Sequence, residues 1–346
     1  MSADEGRLLL YAPNVHTGGG LVLLNALLDA WPAGQPFVAW LDKRAETLLS
    51  PPASGHIVWV EASFVSRLHA ESSLASSGKE GDRVLCFHGL PPLLANAAKI
   101  ILFQQNRNYL GHVDLSRFAL RTRLRLRGEQ FLSKAFRRRV SAYWVQTPSM
   151  ARSLREWFGK GAVEIAVLPF AAPFAPGPVS AGRTERFDFV YVADGEAHKN
   201  HRTLVEAWIL LKERGLTPSL ALTLSQRDIV LKKWIAEQVR IHGLRIDDLG
   251  VMPHAQVSAL YGRSRALIFP SLSESFGLPL IEATALDLPI LAGELDFVRD
   301  VCVPAETFDP LSATSIERAV LRFVGKADRP QTTVSAADFL HQVKAS

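Results

Sequence analysis

Two glutamates, Glu274 and Glu282, stand in the run SLSESFGLPLIEA over Ser271–Ala283, directly after the apolar stretch Ala266–Pro270. That order of residue types predicts a strand, a loop and then a helix opened by Pro279, since proline is at home in a first helical turn. Glu274 falls in the loop and Glu282 in the first turn of the helix, so one strand end carries two carboxylates. The loop residues Ser275, Phe276, Gly277 and Leu278 offer backbone N–H groups beside a helix amino terminus, a setting that holds a diphosphate through amides and the helix dipole. The two acids are then suited to gripping neutral hydroxyls. The plainer alternative is a solvated loop acid followed by an acid that suits a helix start.

Three other groups of residues follow predicted strands. Lys199, in EAHKNHRTLVEAW over Glu196–Trp208, sits before a helix starting near His201, where a cation can neutralise a departing diphosphate; the alternative is an exposed loop lysine. Gly18, Gly19 and Gly20 follow the first strand and precede an apolar helix, so bare backbone can approach a phosphate or sugar, although three glycines also make a flexible turn. His88 in CFHGLPP, and Gln104, Gln105 and Asn106 in FQQNRN, should point into a cleft and are candidates to position an acceptor. His88 is also a catalytic candidate, the alternative being that a lone histidine beside glycine is structural or merely exposed.

The elements that must position these groups alternate along the chain. Residues 7–12, 36–42, 56–61, 83–88, 99–104 and 142–146 read as strands, with helical periods at 21–31 and 149–158 between them. Residues 169–186 then gather Pro169, Pro173, Pro176 and Pro178 with Gly177 and Gly182. After this hinge the alternation restarts with strands at 187–193, 220–224, 266–270 and 289–292 and a helix at 201–214 closed by Gly215. The fold class is therefore α/β, with two Rossmann-like, doubly wound domains facing each other across a cleft at the carboxyl ends of their strands. The expected boundaries are an amino-terminal domain over 1–172, a linker over 173–186, a carboxyl-terminal domain over 187–328 and a tail over 329–346 that packs back on the first domain as a helix.

Composition agrees with a packed protein: 346 residues, 48% hydrophobic and 21% charged, suit two cores and argue against disorder. No apolar stretch is long enough to span a bilayer, the polar start Met1–Arg7 does not read as a signal peptide, and Cys86 and Cys302 lack metal-ligand spacing. A cytoplasmic location is the expectation. The net charge of +5 is concentrated: Arg117, Arg121, Arg123, Arg125, Arg127, Lys134, Arg137, Arg138 and Arg139 stand against the single acid Glu129, interleaved with apolar residues at helical spacing. An anionic membrane surface is one partner for this segment, and a solvated helix face is the alternative; no nucleic-acid module is recognisable. No Asp-x-Asp pair or histidine ligand spacing calls for a metal.

The two-glutamate run, together with Leu249–Ser271 upstream (LGVMPHAQVSALYGRSRALIFPS), resembles the signature of the retaining glycosyltransferases of family 4, group 1, which have the GT-B fold. The resemblance covers most of the carboxyl-terminal domain. It implies that a sugar passes from a nucleoside diphosphate sugar to an acceptor hydroxyl with retention and without a metal or other cofactor, in making a cell-surface polysaccharide or lipopolysaccharide. It further implies that Glu282 binds the ribose hydroxyls, that Glu274 faces the donor sugar, that backbone around Gly250 and Met252 meets the base, and that Lys199 and the glycine loop serve the phosphates. The acceptor is a glycan or a lipid-linked glycan. The chain departs from the family in two places: Asp194 stands where an arginine is common, and amides replace a histidine after the fifth strand. A nicotinamide-dependent oxidoreductase should show GxGxxG after a strand, and none is present. A non-catalytic relative that binds a glycan or protein should lack the paired glutamates, which this chain keeps.

Overall fold

The run Leu8–Ala12 is apolar at every position, as befits a strand covered on both faces of a parallel sheet. In the computed structural model, which describes residues 6–53, 55–111, 115–116, 118–159, 163–174, 187–327 and the isolated 335, 336 and 343, it is β1 (Leu8–Ala12), and successive side chains enter different cores. Leu9 and Tyr11 pack with Trp40 and Val84, while Leu10 and Ala12 pack with Leu24 and Leu85, the period-two alternation of a strand.

β1 is followed by α1 (Gly18–Asp29), β2 (Phe37–Asp42), β3 (Gly55–Val60), α2 (Phe64–Ser77), β4 (Arg83–Cys86) and β5 (Lys99–Phe103). α3 (Leu120–Ala135), β6 (Ala142–Val145), α4 (Pro148–Phe158) and β7 (Glu164–Val167) complete the amino-terminal half. The carboxyl-terminal half holds β8 (Phe187–Tyr191), α5 (His201–Glu213), β9 (Leu220–Leu222), α6 (Ile229–His242), β10 (Ile246–Asp248), α7 (His254–Tyr261) and β11 (Ser264–Phe269). It ends with α8 (Leu278–Ala285), β12 (Ile290–Gly293), α9 (Asp296–Arg299), β13 (Glu306–Phe308) and α10 (Ala313–Phe323).

The strands form two all-parallel sheets, ordered β3-β2-β1-β4-β5-β6-β7 and β10-β9-β8-β11-β12-β13. Strand order reverses beside β1 and β4 in the first and beside β8 and β11 in the second. Such a switch point leaves a crevice where crossovers depart in opposite directions. The glycine run follows β1, His88 follows β4, Lys199 follows β8 and Glu274 follows β11, so topology carries all four to a reversal.

Several predicted strands run on past their observed ends, as at Cys86, Tyr191 and Leu222. β7, β10 and β13 were not anticipated: β10 and β13 have three residues each, too few to show a period. Glu282 lies in the second turn of α8, not the first, since that helix opens at Leu278. Most of the expected linker, the proposed tail helix apart from residues 335, 336 and 343, and Arg117 lie outside the described residues.

Candidate active site

Lys199 ends a 3-10 turn over Ala197–Lys199, and the next residue, Asn200, is in the left-handed region at φ 61°. A non-glycine residue holds that conformation only when its surroundings fix it. Here the buried Asn200 amide donates to the Pro270 and Pro310 carbonyls at 3.2 and 2.6 Å, and its oxygen accepts from Thr203 at 2.8 Å. The Tyr191 hydroxyl donates to the Lys199 carbonyl at 2.8 Å, and the Leu272 N–H to that of His198. The loop after β8 is thereby tied to the loop after β11.

That tie sets Lys199 Nζ 2.7 Å from Glu274 Oε1, which also accepts from Ser271 Oγ at 2.6 Å. Burial alone would push the Glu274 carboxyl up, but Lys199 and His198 outweigh it and hold the group below the usual carboxylate range. Burial likewise pulls the Lys199 ammonium down, and Glu274 and Asp194 more than restore it, leaving it above its ordinary value. Both groups are therefore charged at neutral pH, a lysine and a carboxylate facing one cavity of about 390 Å³.

Of the other residues singled out from sequence, Gln105, Asn106 and Ser275 line the same cavity. Asp194, which stands where an arginine is common, also lines it, as do Glu196 and His198 of the EAHKN stretch, to which the sequence assigned no role. Burial, reinforced by Lys199, lowers His198. The far wall comes from the amino-terminal domain, including Arg107, Thr122 and Arg125. Ser275 is gripped from that side: its Oγ accepts from the Arg107 N–H at 3.0 Å and its carbonyl from Thr147 Oγ1 at 3.2 Å.

Glu282 is buried on α8 and is not among the residues lining this cavity. Its carboxylate is held at both oxygens, by His254 Nε2 at 2.9 Å and the Tyr261 hydroxyl at 3.1 Å. Sequence reading missed both partners; a helical spacing of seven, which puts them on one face of α7, was the available signal. Phe174 packs against His254 with centroids 4.8 Å apart and the rings tilted by 58°, so the chain leaving the first domain closes over this group.

Phe276 is buried, and Gly277 caps α8 at φ 76°. Gly250 is also left-handed at φ 74°, its N–H donating to Asp248 at 3.0 Å, and Met252 packs against the core of its domain. The glycine run forms the start of α1; a Cβ on Gly19 would lie 2.9 Å from Leu278 Cδ1, and one on Gly20 3.5 Å from Gln105 Oε1. The first domain's glycine loop therefore abuts the start of α8. His88 is placed differently from expectation. It is not among the residues lining the cavity, its ring packs edge-on against Tyr11 at 5.1 Å, and burial lowers it to about 4. Sequence put it at a strand end; packing on Tyr11 turned it inward.

Residues 178–337 match the profile of the family described as Glycosyl transferases group 1. A glycogen synthase of Mycobacterium tuberculosis is 29% identical over 163 residues, 46% of this chain and 39% of that protein. An O-antigen chain mannosyltransferase B of Escherichia coli is 28% identical over 137 residues, 38% of this chain and 35% of that protein. The chain thus spans about two fifths of the curated relatives it matches. Among solved structures, a sucrose-phosphate synthase from Thermosynechococcus elongatus superposes with a TM-score of 0.68 at 15% identity, covering 92% of this chain and 90% of that one. Anabaena HepE in complex with UDP and glucose gives 0.65 at 13% identity, with 92% and 90% covered. The fold is GT-B.

Proposed function

We propose, from a carboxyl-terminal domain that belongs to the glycosyl transferases of group 1, that this chain transfers a sugar from a nucleoside diphosphate sugar to an acceptor hydroxyl with retention of anomeric configuration. The observation that carries the reading is the Lys199–Glu274 pair facing a cavity between the two domains. In this reading the diphosphate lies by Lys199 and the N–H groups at the start of α8, where fixed positive charge is worth most as the leaving group takes up its electrons. Glu274 orients the donor sugar and stabilises positive charge at the reacting carbon. Glu282, held in place by His254 and Tyr261, binds the ribose hydroxyls, and Gly250 and Met252 face the base.

The acceptor, a glycan or lipid-linked glycan of a surface polysaccharide or lipopolysaccharide, enters beside Gln105 and Asn106 in the cytoplasm. The relatives named above support this polymer-building setting, the mannosyltransferase by its O-antigen chain product. Lysine and helix dipole do the work of a metal, so transfer proceeds in the presence of a chelator. Turnover with a panel of nucleotide sugars and a glycan acceptor mixture tests the reading: Glu274→Ala should lose about 100-fold or more in kcat. Near-normal transfer by that variant, or activity abolished by EDTA and restored by a divalent ion, would contradict it.

A further inference from the structure

α3 has two unlike faces. Its inner side contributes Thr122, Arg125 and Leu126 to the cavity and buries Gln130, which donates to the Asn108 and Leu110 carbonyls at 3.0 Å. Its outer side carries Leu120, Leu124 and Phe131 at 68%, 59% and 70% exposure, spaced as one helical stripe. Arg121, Arg127, Lys134 and Arg138 are exposed around them, while the helix's single acid, Glu129, is turned partly inward. Few soluble surfaces expose large apolar side chains at i, i+4 and i+11 within a ring of cations.

We infer that the outer face of α3 is a docking surface for an anionic lipid bilayer, with Leu120, Leu124 and Phe131 entering the headgroup boundary and the exposed cations around them meeting lipid phosphates. Apolar insertion and cationic attraction are each weak alone and additive on one face. Because the inner side of α3 is cavity wall, docking sets the cavity rim against the headgroup layer. The donor reading above is not needed for this binding, and the two can fail separately.

Flotation of the full chain with vesicles tests it. Vesicles of 30% phosphatidylglycerol in phosphatidylcholine should carry the protein upward, those of phosphatidylcholine alone should not, and raising the salt from about 0.1 to about 0.5 M should release it. Leu124→Glu with Phe131→Glu, both solvent-exposed changes, should weaken binding about tenfold or more, and Arg121→Gln with Arg127→Gln and Arg138→Gln should remove the preference for anionic lipid. Circular dichroism and the nucleotide-induced thermal shift of both variants should match the parent. Equal partition of parent and variants, or no partition of the parent, would overturn the inference. So would a change in sedimentation with no change in flotation, which would mark the patch as a contact between copies of this chain.

Discussion

A lysine and a carboxylate 2.7 Å apart in a largely buried setting stabilise each other only while both are charged. The signs follow from the shifts at Lys199 and Glu274. Glu274 is held below its ordinary value, so its share of stability is present above the carboxylate range near ~4.3 and is lost as pH falls through the lowered value. Lys199 is held above its ordinary value, so its share is present below ~10.4 and lost as pH rises through the raised value. Glu274→Gln leaves the lysine buried without its counter-ion, at a cost of about 3 to 5 kcal/mol near neutrality. Urea unfolding at several pH values should show that gap between parent and variant narrowing as pH drops below ~4. A gap under 1 kcal/mol at pH 7, or one indifferent to acid, would mean that the pair is not the buried ion pair described.

Among the elements, the loop between β8 and α5 depends on a single backbone choice. Asn200 is left-handed and tethers two carbonyls from elsewhere in the domain. Asn200→Ala loses the tethers and forces a Cβ-bearing residue without a local hydrogen bond into that region. Asn200→Gly loses the tethers only. Alanine should therefore cost about 1 to 2 kcal/mol more than glycine in denaturant unfolding, and equal costs would show that the left-handed backbone is not the constraint. The sequence already marked this loop, because strand, short polar stretch and helix follow one another in order. It did not show that Pro270 and Pro310 would be the partners, which lie 70 and 110 residues further on. Elements follow from periodicity along the chain, whereas contacts between loops follow from the sheet order.

Over the whole molecule, the same distinction separates what was legible from what was not. The alternation of strands and helices was enough for two doubly wound halves, and the switch points then bring the glycine run, Lys199 and Glu274 to the crevice. His254 and Tyr261 were hidden because their partner Glu282 lies on another helix, and Arg125 because a basic segment read as surface also forms a cavity wall. The two halves meet at α4, whose amino terminus receives Asp300: the Ser149 N–H donates to Asp300 Oδ2 at 2.7 Å, and Arg152 pairs with Asp296 at 2.8 Å. With Ser275 held by Arg107 and Thr147, these contacts place the signature loop under the first domain and close the cavity from both sides.

The central claim is that the carboxyl-terminal half holds the nucleotide of a sugar donor, with Glu282 as the group that reads its ribose. Thermal unfolding of the chain in the presence of UDP, GDP, ADP, CMP and NAD tests it directly, with Glu282→Ala alongside. One nucleoside diphosphate should stabilise the parent, by about 2.7 kcal/mol at a hundredfold excess over its dissociation constant, and should do so far less in the variant. Stabilisation by NAD alone, or by a nucleoside diphosphate equally in parent and variant, would contradict the account.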